Sequence, residues 1–183
     1  MKAFRSDQIN GAYLATRHLL DLGHRQIGYL GGPSDQRDAV DRQEGYLRAM
    51  REAGIMPKLE WMQNGGFVED KGQAAMEKLL DIEPRVTAVF AANDQSAYGA
   101  RMALYRRGLH VPNDISLVGF DDLPASANCT PPLTTVHQPI FESGLYAAQS
   151  LLQMMGVEVA ANLLAPPPQP MRLVVRETTK QHG

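Results

Sequence analysis

Cysteine is almost absent from this sequence, since Cys129 is the only one in 183 residues. A single cysteine excludes an internal disulfide and is typical of a protein from a reducing compartment. The sequence also lacks any apolar run near the roughly 20 residues that span a membrane. Its first residues, Met1 to Arg5, have no apolar core of a secretory signal. We therefore expect a cytoplasmic protein that makes no membrane contact.

An excess of basic charge is missing as well, because the formal net charge is -2. A free-standing nucleic-acid-binding domain usually carries a basic excess, since neutralising phosphates supplies most of its affinity. The chain by itself is therefore not expected to bind DNA. Hydrophobic residues make up 44% and charged residues 21%, which is ordinary for a folded globular domain.

The common signatures of catalysis are absent too. The glycines in Gly28 to Gly32 do not have the G-x-G-x-x-G spacing of a dinucleotide site, and no Walker loop or G-x-S-x-G elbow occurs. The five histidines lack metal-ligand spacing. Asp121 and Asp122 are neighbours, whereas paired acid and base carboxylates need a gap across the substrate. We expect no cofactor, no metal and no catalytic residue.

What the sequence does contain is an alternation of short apolar strands and amphipathic helices. The predicted strands lie near 26–31, 61–65, 86–91 and 115–120, and a short extended segment at 133–138 is the fifth. A helix capped by Asn10 precedes the first strand. Single helices between the strands predict right-handed crossovers and a parallel sheet covered on both faces. The fold class is therefore a doubly wound α/β domain, covering residues 7–138.

The remainder of the chain has a different pattern. Pro139 is expected to open a helix with an apolar stripe within residues 139–165. The stripe consists of Phe141, Leu145, Ala148, Leu152 and Met155. Residues 166–183 are expected to form a stiff proline linker, a last strand at 171–176 and a loose tail after Thr179.

Polar side chains follow the predicted strands at the edge where ligands bind in open α/β sheets. In chain order they are Asp38 and Arg42 after the first strand, Phe67 after the second, Asn93 after the third, Asp121 after the fourth and Gln138 after the fifth. Carboxylates and amides can bond vicinal hydroxyls, a guanidinium donates in a fork, and an aromatic ring can cover an apolar C–H face. This set predicts a site for a polyhydroxylated ligand.

Each of these residues also has a simpler interpretation. Asn93 or its neighbour Asp94 can cap the next helix, and Asp121 can be a turn residue. Arg42 can make an exposed ion pair, and Phe67 can belong to the core. Their concentration at one edge of the sheet favours the ligand site over four separate coincidences.

Six ordered stretches of this sequence resemble the signature of the lactose/galactose repressor family. They are residues 11–33, from Gly-Ala-Tyr-Leu-Ala-Thr to Leu-Gly-Gly-Pro; 42–46, Arg-Gln-Glu-Gly-Tyr; 87–94, Thr-Ala-Val-Phe-Ala-Ala-Asn-Asp; 111–122, from Val-Pro-Asn-Asp to Gly-Phe-Asp-Asp; 131–139, from Pro-Pro-Leu-Thr to His-Gln-Pro; and 173–177, Leu-Val-Val-Arg-Glu. Their order and spacing cover nearly the whole chain.

The resemblance implies a periplasmic-binding-protein-like fold of type I. In that family a helix-turn-helix and a hinge helix precede two similar α/β subdomains with an effector between them. By this resemblance the chain begins at the C-terminal subdomain, and the helix within 139–165 belongs to the absent N-terminal subdomain. Arg42, Asn93 and Asp121 then match ligand contacts, and Phe67 matches a stacking position. Asp38 and Gln138 match peripheral contacts.

The resemblance further implies a sugar-effector-binding module of a bacterial repressor. We expect a small-molecule effector, a homodimer, and operator DNA bound only by the full-length protein. One alternative is a periplasmic-type sugar-binding protein, which the missing secretory signal disfavours. Another is an enzyme on the same fold, which the missing catalytic motifs disfavour.

Overall fold

A computed structural model describes residues 6–157 and 167–183 of the chain. The helices are α1 (Gln8–Asp21), α2 (Arg37–Glu52), α3 (Glu69–Leu80), α4 (Asp94–Arg106), α5 (Pro124–Asn128) and α6 (Ile140–Met154). The strands are β1 (Ile27–Gly31), β2 (Met62–Asn64), β3 (Ala88–Ala91), β4 (Ser116–Asp121), β5 (Thr134–His137) and β6 (Arg172–Val174). A short 3-10 turn, Leu59–Trp61, precedes β2.

The strands form one sheet in the order β2-β1-β3-β4-β5-β6. All pairings are parallel except the last, in which β6 runs antiparallel to β5. The predicted doubly wound parallel sheet is therefore confirmed, with one added antiparallel edge strand. From β1 the chain connects to β2 on one side of β1. It then crosses from β2 to β3 on the other side of β1. The carboxyl ends of β1 and β3 thus border the switch point at which such sheets bind ligands.

Helices cover both faces of the sheet, which explains why the central strands are continuous apolar runs. Helices α1 and α2 bury one face around Tyr46, Phe90 and Phe120. Helices α3 and α4 bury the other face around Leu79 and Leu104. Every residue of β1 and β3 is buried. These layers make the sheet a rigid support for side chains at its carboxyl edge.

The two helix pairs approach so closely that glycine is required at the contacts. A Cβ on Gly45 of α2 would lie 2.2 Å from the carbonyl oxygen of Ile9 in α1. A Cβ on Gly99 of α4 would lie 2.0 Å from the carbonyl oxygen of Glu69 in α3. Both distances are far shorter than any real carbon–oxygen contact, so any side chain there would force the helices apart.

The predicted cap of the first helix is wrong. The side chain of Asp7 accepts a hydrogen bond of 3.0 Å from the backbone N–H of Asn10. The helix consequently starts at Gln8, and Asn10 lies within its first turn. This earlier start matters for the site, because it places Gln8 on an ordered helix.

The expectation of a loose tail is also wrong. The backbone N–H of Lys180 donates to Ser116 Oγ at 3.1 Å, and the N–H of His182 donates to the carbonyl of Leu22 at 2.8 Å. The ring of His182 stacks on that of His24 with centroids 5.1 Å apart. Polar partners beside the amino end of β4 and the end of α1 therefore anchor the tail to the sheet.

Helix α6 forms as predicted, but its apolar stripe faces solvent. Phe141 is 79% exposed, Met155 69%, Leu145 42% and Leu152 39%. None of the helices within residues 6–157 and 167–183 is long and apolar enough to cross a membrane. Residues 158–166, which include the end of the predicted helical segment and the first linker proline, lie outside the described residues.

Candidate functional site

Arg42 on α2 occupies the centre of the carboxyl edge of the sheet. Its guanidinium is buried, with the residue only 5% exposed. One Nη1–H donates to the backbone carbonyl of Ala92, the residue directly after β3. The guanidinium carbon lies 3.9 Å from the centre of the Phe120 ring. Arg42 therefore sits beside the switch point of the sheet, where the topology places a ligand.

Four side chains form a closed ring of polar contacts around this position. Arg42 Nε donates to Gln8 Oε1 at 2.8 Å, and Gln8 Nε2 donates to Gln138 Oε1 at 2.9 Å. Gln138 Nε2 donates to Asp121 Oδ1 at 2.6 Å. Arg42 Nη2 closes the ring with an ion pair of 3.3 Å to the same Oδ1. Gln8 on α1 and Gln138 after β5 thus hold the Arg42–Asp121 pair, and both contacts to Asp121 leave its Oδ2 outside the ring.

Burial and the pairing of opposite charges shift the pKa values of Arg42 and Asp121 in opposite directions. Burial raises the pKa of the Asp121 carboxyl to about 6, although Arg42 and the hydrogen bond from Gln138 limit the rise. Burial also lowers the pKa of the Arg42 guanidinium, which Asp121 and Asp38 oppose. An arginine stays charged at any physiological pH. The site therefore combines a permanent cation with a carboxylate that can be protonated in mild acid.

The backbone is strained at the same edge. Within residues 6–157 and 167–183, the three non-glycine residues with positive φ are Phe67 (61°), Asp121 (114°) and Asp122 (58°). L-residues rarely adopt this region, and such conformations persist where surrounding contacts impose them. Two of the three are residues that the sequence predicted for the ligand site.

Phe67 is held in place by its neighbours. Its carbonyl accepts a 3.0 Å hydrogen bond from Asn93 Nδ2, and its ring packs against Gly32, where an added Cβ would collide with it at 2.2 Å. The Arg42 guanidinium lies 5.3 Å from the centre of the same ring. Phe67 is half-buried, so the ring borders both the core and the edge of the site.

The sequence matches a known protein family over most of its length. The family model of the periplasmic binding protein-like domain matches residues 16–179. The chain belongs to this family.

The matched relatives of this periplasmic binding protein-like domain are repressors. The HTH-type transcriptional repressor PurR of Haemophilus influenzae (strain PittEE) is 38% identical over 176 residues, which is 93% of this chain and 51% of the relative. The repressor CytR of Escherichia coli (strain K12) is 39% identical over 156 residues, 85% of this chain and 46% of the relative. The chain spans about half the length of these curated relatives.

Solved structures of regulators share the fold. A transcriptional regulator, CelR, in complex with cellobiose has a TM-score of 0.84 at 35% identity, covering 94% of this chain and 52% of its own. A LacI-family sugar-binding regulator from Escherichia coli, complexed with phosphate, has a TM-score of 0.87 at 28% identity, covering 97% and 63%. The resemblance to the lactose/galactose repressors is thereby confirmed.

The domain brings most of the predicted site residues together. Arg42, Asp121 and Gln138 are in direct contact, and Phe67 lies beside Arg42. Asp38 is exposed in the first turn of α2 and reaches Arg42 only through its charge.

Asn93 is nearby, but its amide already has structural partners. Its Oδ1 accepts from Ser96 N at 2.9 Å, so Asn93 caps α4, while its Nδ2 holds Phe67. Its use as a ligand contact stays a prediction.

Two buried residues at this edge lie outside the predicted set of ligand contacts. Gln8 precedes the first strand, and no motif marks it as part of the site. Asp94, a polar residue of the predicted edge that could also cap α4, accepts hydrogen bonds from Leu123 N, Ser126 Oγ and Thr135 Oγ1 at 2.6–2.8 Å. Burial raises its pKa against those bonds. Asp94 therefore fixes the loop after β4 to β5, and Gln8 completes the ring around Arg42.

Asp122 points away from the Arg42 ring. Its carboxylate pairs with Arg176 Nη2 at 2.7 Å and with His137 Nδ1 at 2.9 Å. Burial acts to raise the pKa of Asp122, but hydrogen bonds from Arg176 and His137 outweigh it and hold the pKa below its usual value. Asp122 therefore ties the β4 end to β5 and to the segment after β6, while Asp121 faces the ring.

The described residues offer no metal site. Within residues 6–157 and 167–183, no group of three His, Cys, Asp or Glu side chains is arranged to hold a metal ion.

Proposed function

We propose that this chain is the sugar-effector-binding module of a bacterial transcriptional repressor. The observation that carries the proposal is the buried Arg42–Asp121 pair at the switch point of the sheet, in a chain whose matched relatives are repressors. Burying charged groups costs free energy unless they are paired. Groups with shifted pKa values are concentrated at functional sites.

The residues of the edge have complementary roles toward a sugar. Arg42 donates in a fork to neighbouring hydroxyls, and Asp121 accepts from them. The Phe67 ring covers the apolar C–H face of the sugar. Asp38 and Asn93 supply outer polar contacts, and Gln138 lies at the edge of the same site, bonded to Asp121. The cellobiose bound by the structural neighbour CelR supports this ligand class.

The coupling to DNA follows from a population shift. In the full-length protein, an effector bound between two subdomains favours their closed arrangement. Closure changes the spacing of paired DNA-binding headpieces in a homodimer, so operator affinity changes. The module performs no reaction on its effector, and the protein acts in the cytoplasm.

The division of the chain supports the same arrangement. Residues 7–138 form the C-terminal subdomain, 139–165 contribute a helix to the N-terminal subdomain, and 166–183 return to the sheet. The exposed apolar stripe of α6 supports this assignment, since a helix of one subdomain that packs on another is apolar on the face it will bury.

The test uses the full-length protein with an operator obtained by selection from random DNA duplexes. Fluorescence anisotropy measures how operator affinity responds to cellobiose and a panel of common mono- and disaccharides. Asp121→Ala should raise the effector concentration needed for the response at least tenfold, while operator affinity without effector stays within about twofold. The control is Asp81→Asn at the carboxyl end of α3, far from this edge because that helix end lies at the amino edge of the sheet. An Asp121→Ala variant with an unchanged response would refute the proposal.

A further inference from the structure

The Gln138 amide occupies one corner of the polar ring in the way a ligand would. Its Nε2 donates to the Asp121 carboxylate, and its Oε1 accepts from Gln8 Nε2. A carboxamide thus presents one donor and one acceptor on neighbouring atoms toward two fixed partners. A vicinal diol presents the same pair, since one hydroxyl can donate while the adjacent one accepts.

Three corners of the ring are fixed more firmly than this one. Gln8 is 7% exposed and lies on α1, and Arg42 is 5% exposed with added contacts to Ala92 and Phe120. Asp121 is the last residue of β4 and is paired with Arg42. Gln138 lies in the connection between β5 and α6, and it is half-buried. Of the four side chains, that of Gln138 can therefore leave the ring at the smallest cost in free energy.

A cavity lies beside the chain neighbours of two ring residues and offers space for a displaced Gln138 side chain. The residues adjoining Gln8 and Gln138 in the chain, Asp7 and Pro139, line a cavity of about 200 Å³ together with Asn10 and Ser143. Ser143 Oγ is buried there without a hydrogen-bond partner among the described residues. An amide turned into this cavity would find polar partners, which lowers the cost of leaving the ring.

We propose that Gln138 is an internal substitute for the effector, and that a vicinal diol displaces it to bond Asp121 and Gln8. Gln8 then acts as a specificity residue: its Nε2 donates to the second hydroxyl, while its Oε1 continues to orient Arg42. This inference rests on the proposed sugar-binding function and goes further, since it names the hydroxyl pair that is recognised and a residue that recognises it.

The proposal predicts that one substitution within the site increases the affinity for a sugar. If Gln138 competes with the ligand, Gln138→Ala removes the competitor, and the affinity for a sugar rises. If Gln138 is an ordinary ligand contact, the same substitution lowers the affinity. Exchange of one or two hydrogen bonds corresponds to a change of about two- to tenfold in Kd.

Isothermal titration of the 183-residue chain with cellobiose, glucose, galactose and ribose decides between these signs. Gln138→Ala should tighten binding about two- to tenfold, whereas Gln73→Ala, a half-buried glutamine bonded to Glu77 on α3, should leave Kd unchanged. An unchanged or weaker Kd for Gln138→Ala overturns the inference.

Deoxy sugars test the part assigned to Gln8. For the sugar that binds, each deoxy analogue is titrated against the wild type and Gln8→Glu, which keeps an acceptor for Arg42 but removes the donor. One deoxy analogue should bind both proteins equally, because it lacks the hydroxyl that Gln8 recognises. A Gln8→Glu loss of equal size for every analogue means that Gln8 only positions Arg42, and overturns its assignment as a specificity residue.

The failure of this inference can be separated from failure of the proposed function. If Asp121→Asn abolishes sugar binding but Gln138→Ala does not tighten it, only the displacement of Gln138 is wrong. If no sugar binds either the wild type or Gln138→Ala, both proposals are wrong.

Discussion

Arg42 Nη2 and Asp121 Oδ1 lie 3.3 Å apart at the carboxyl edge of the sheet, and the two side chains are only 6% and 18% exposed. The pair joins α2 to the end of β4 and is the centre of the polar ring. A buried ion pair is a weak source of stability, since apolar side chains of similar volume often replace such pairs without loss. We propose that this pair is present because it binds a ligand.

Sugar affinity is predicted to depend on pH through Asp121. Its pKa is raised to about 6, so the carboxylate that accepts from the sugar and pairs with Arg42 is lost as the pH falls below that value. Titration of the sugar from pH 8 to pH 5 should show a constant Kd above about pH 7 and a rise approaching tenfold per unit below about pH 6. Asp121→Asn should bind weakly at every pH. A step that persists in Asp121→Asn would belong to another group and would contradict the assignment.

The free energy of unfolding is predicted to fall as the pH drops below 6.5. Burial lowers the pKa of His24 from its ordinary 6.5. The ring nitrogens of His24 are hydrogen-bonded to Thr87 Oγ1, Ser116 Oγ and the carbonyl of Lys180. The unfolded chain then binds a proton at a higher pH than the folded chain, so acidification favours unfolding. Burial lowers the pKa of His18 in the same direction.

Urea denaturation of His24→Gln from pH 8 to pH 5 measures this contribution. The substitution should cost about 1–3 kcal/mol at pH 8, because buried hydrogen-bonding groups lose their partner. Its pH dependence should be shallower than that of the wild type. His110→Gln is the control, since that side chain is 76% exposed. If His24→Gln kept the full pH dependence, the buried histidine would not be its source.

Asp94 is predicted to stabilise the fold through the loop after β4. Asp94→Ala leaves Leu123 N, Ser126 Oγ and Thr135 Oγ1 without their buried acceptor, which should cost about 2–4 kcal/mol. Asp81→Ala, whose side chain is 66% exposed, should change stability by less than about 0.5 kcal/mol. Urea midpoints of the two variants give the comparison, and equal midpoints would show that the three hydrogen bonds contribute nothing.

Much of the fold could be predicted from the sequence, because local patterns determine it. The apolar runs at 86–91 and 115–120 have no polar face, so only a strand covered on both sides satisfies them. The apolar residues from Phe141 to Met155 recur at intervals of three and four, which likewise predicts a helix. The cap at Asp7 was missed because Asn10 is an equally good capping residue, and only the tertiary position of α1 selects between them.

The site was predictable only in part, for a different reason. Asp121 and Gln138 lie at the carboxyl ends of neighbouring strands, and Arg42 lies on the helix that follows β1, so the sequence predicts that all three lie at one edge of the parallel sheet. Gln8 lies before the first strand, so its place in the ring depends on how α1 packs across the sheet. The anchored tail was missed for the same reason, since His24 and His182 are far apart in the chain and meet only in the folded protein.

The exposed stripe of α6 is predicted to make the 183-residue chain self-associate. Pairing of two copies about a twofold axis would bury both stripes at once, at roughly 25 cal/mol per Å² of apolar surface. Size-exclusion chromatography with light scattering should show a mass above that of the monomer. Leu145→Glu combined with Leu152→Glu should return it to the monomer, while Gln153→Glu on the same helix should not. A monomeric wild type at high concentration would rule out α6 as an association surface.

The most direct test of the central claim is the dissociation constant of the 183-residue chain for sugars, measured by isothermal titration with the wild type and Asp121→Asn. The account predicts that at least one sugar of a panel including cellobiose binds the wild type, and that Asp121→Asn weakens this binding by tenfold or more, on the order of one charged hydrogen bond. Asp81→Asn should retain the wild-type constant. An equal dissociation constant for the wild type and Asp121→Asn, or no binding of any sugar to the wild type, would contradict the account.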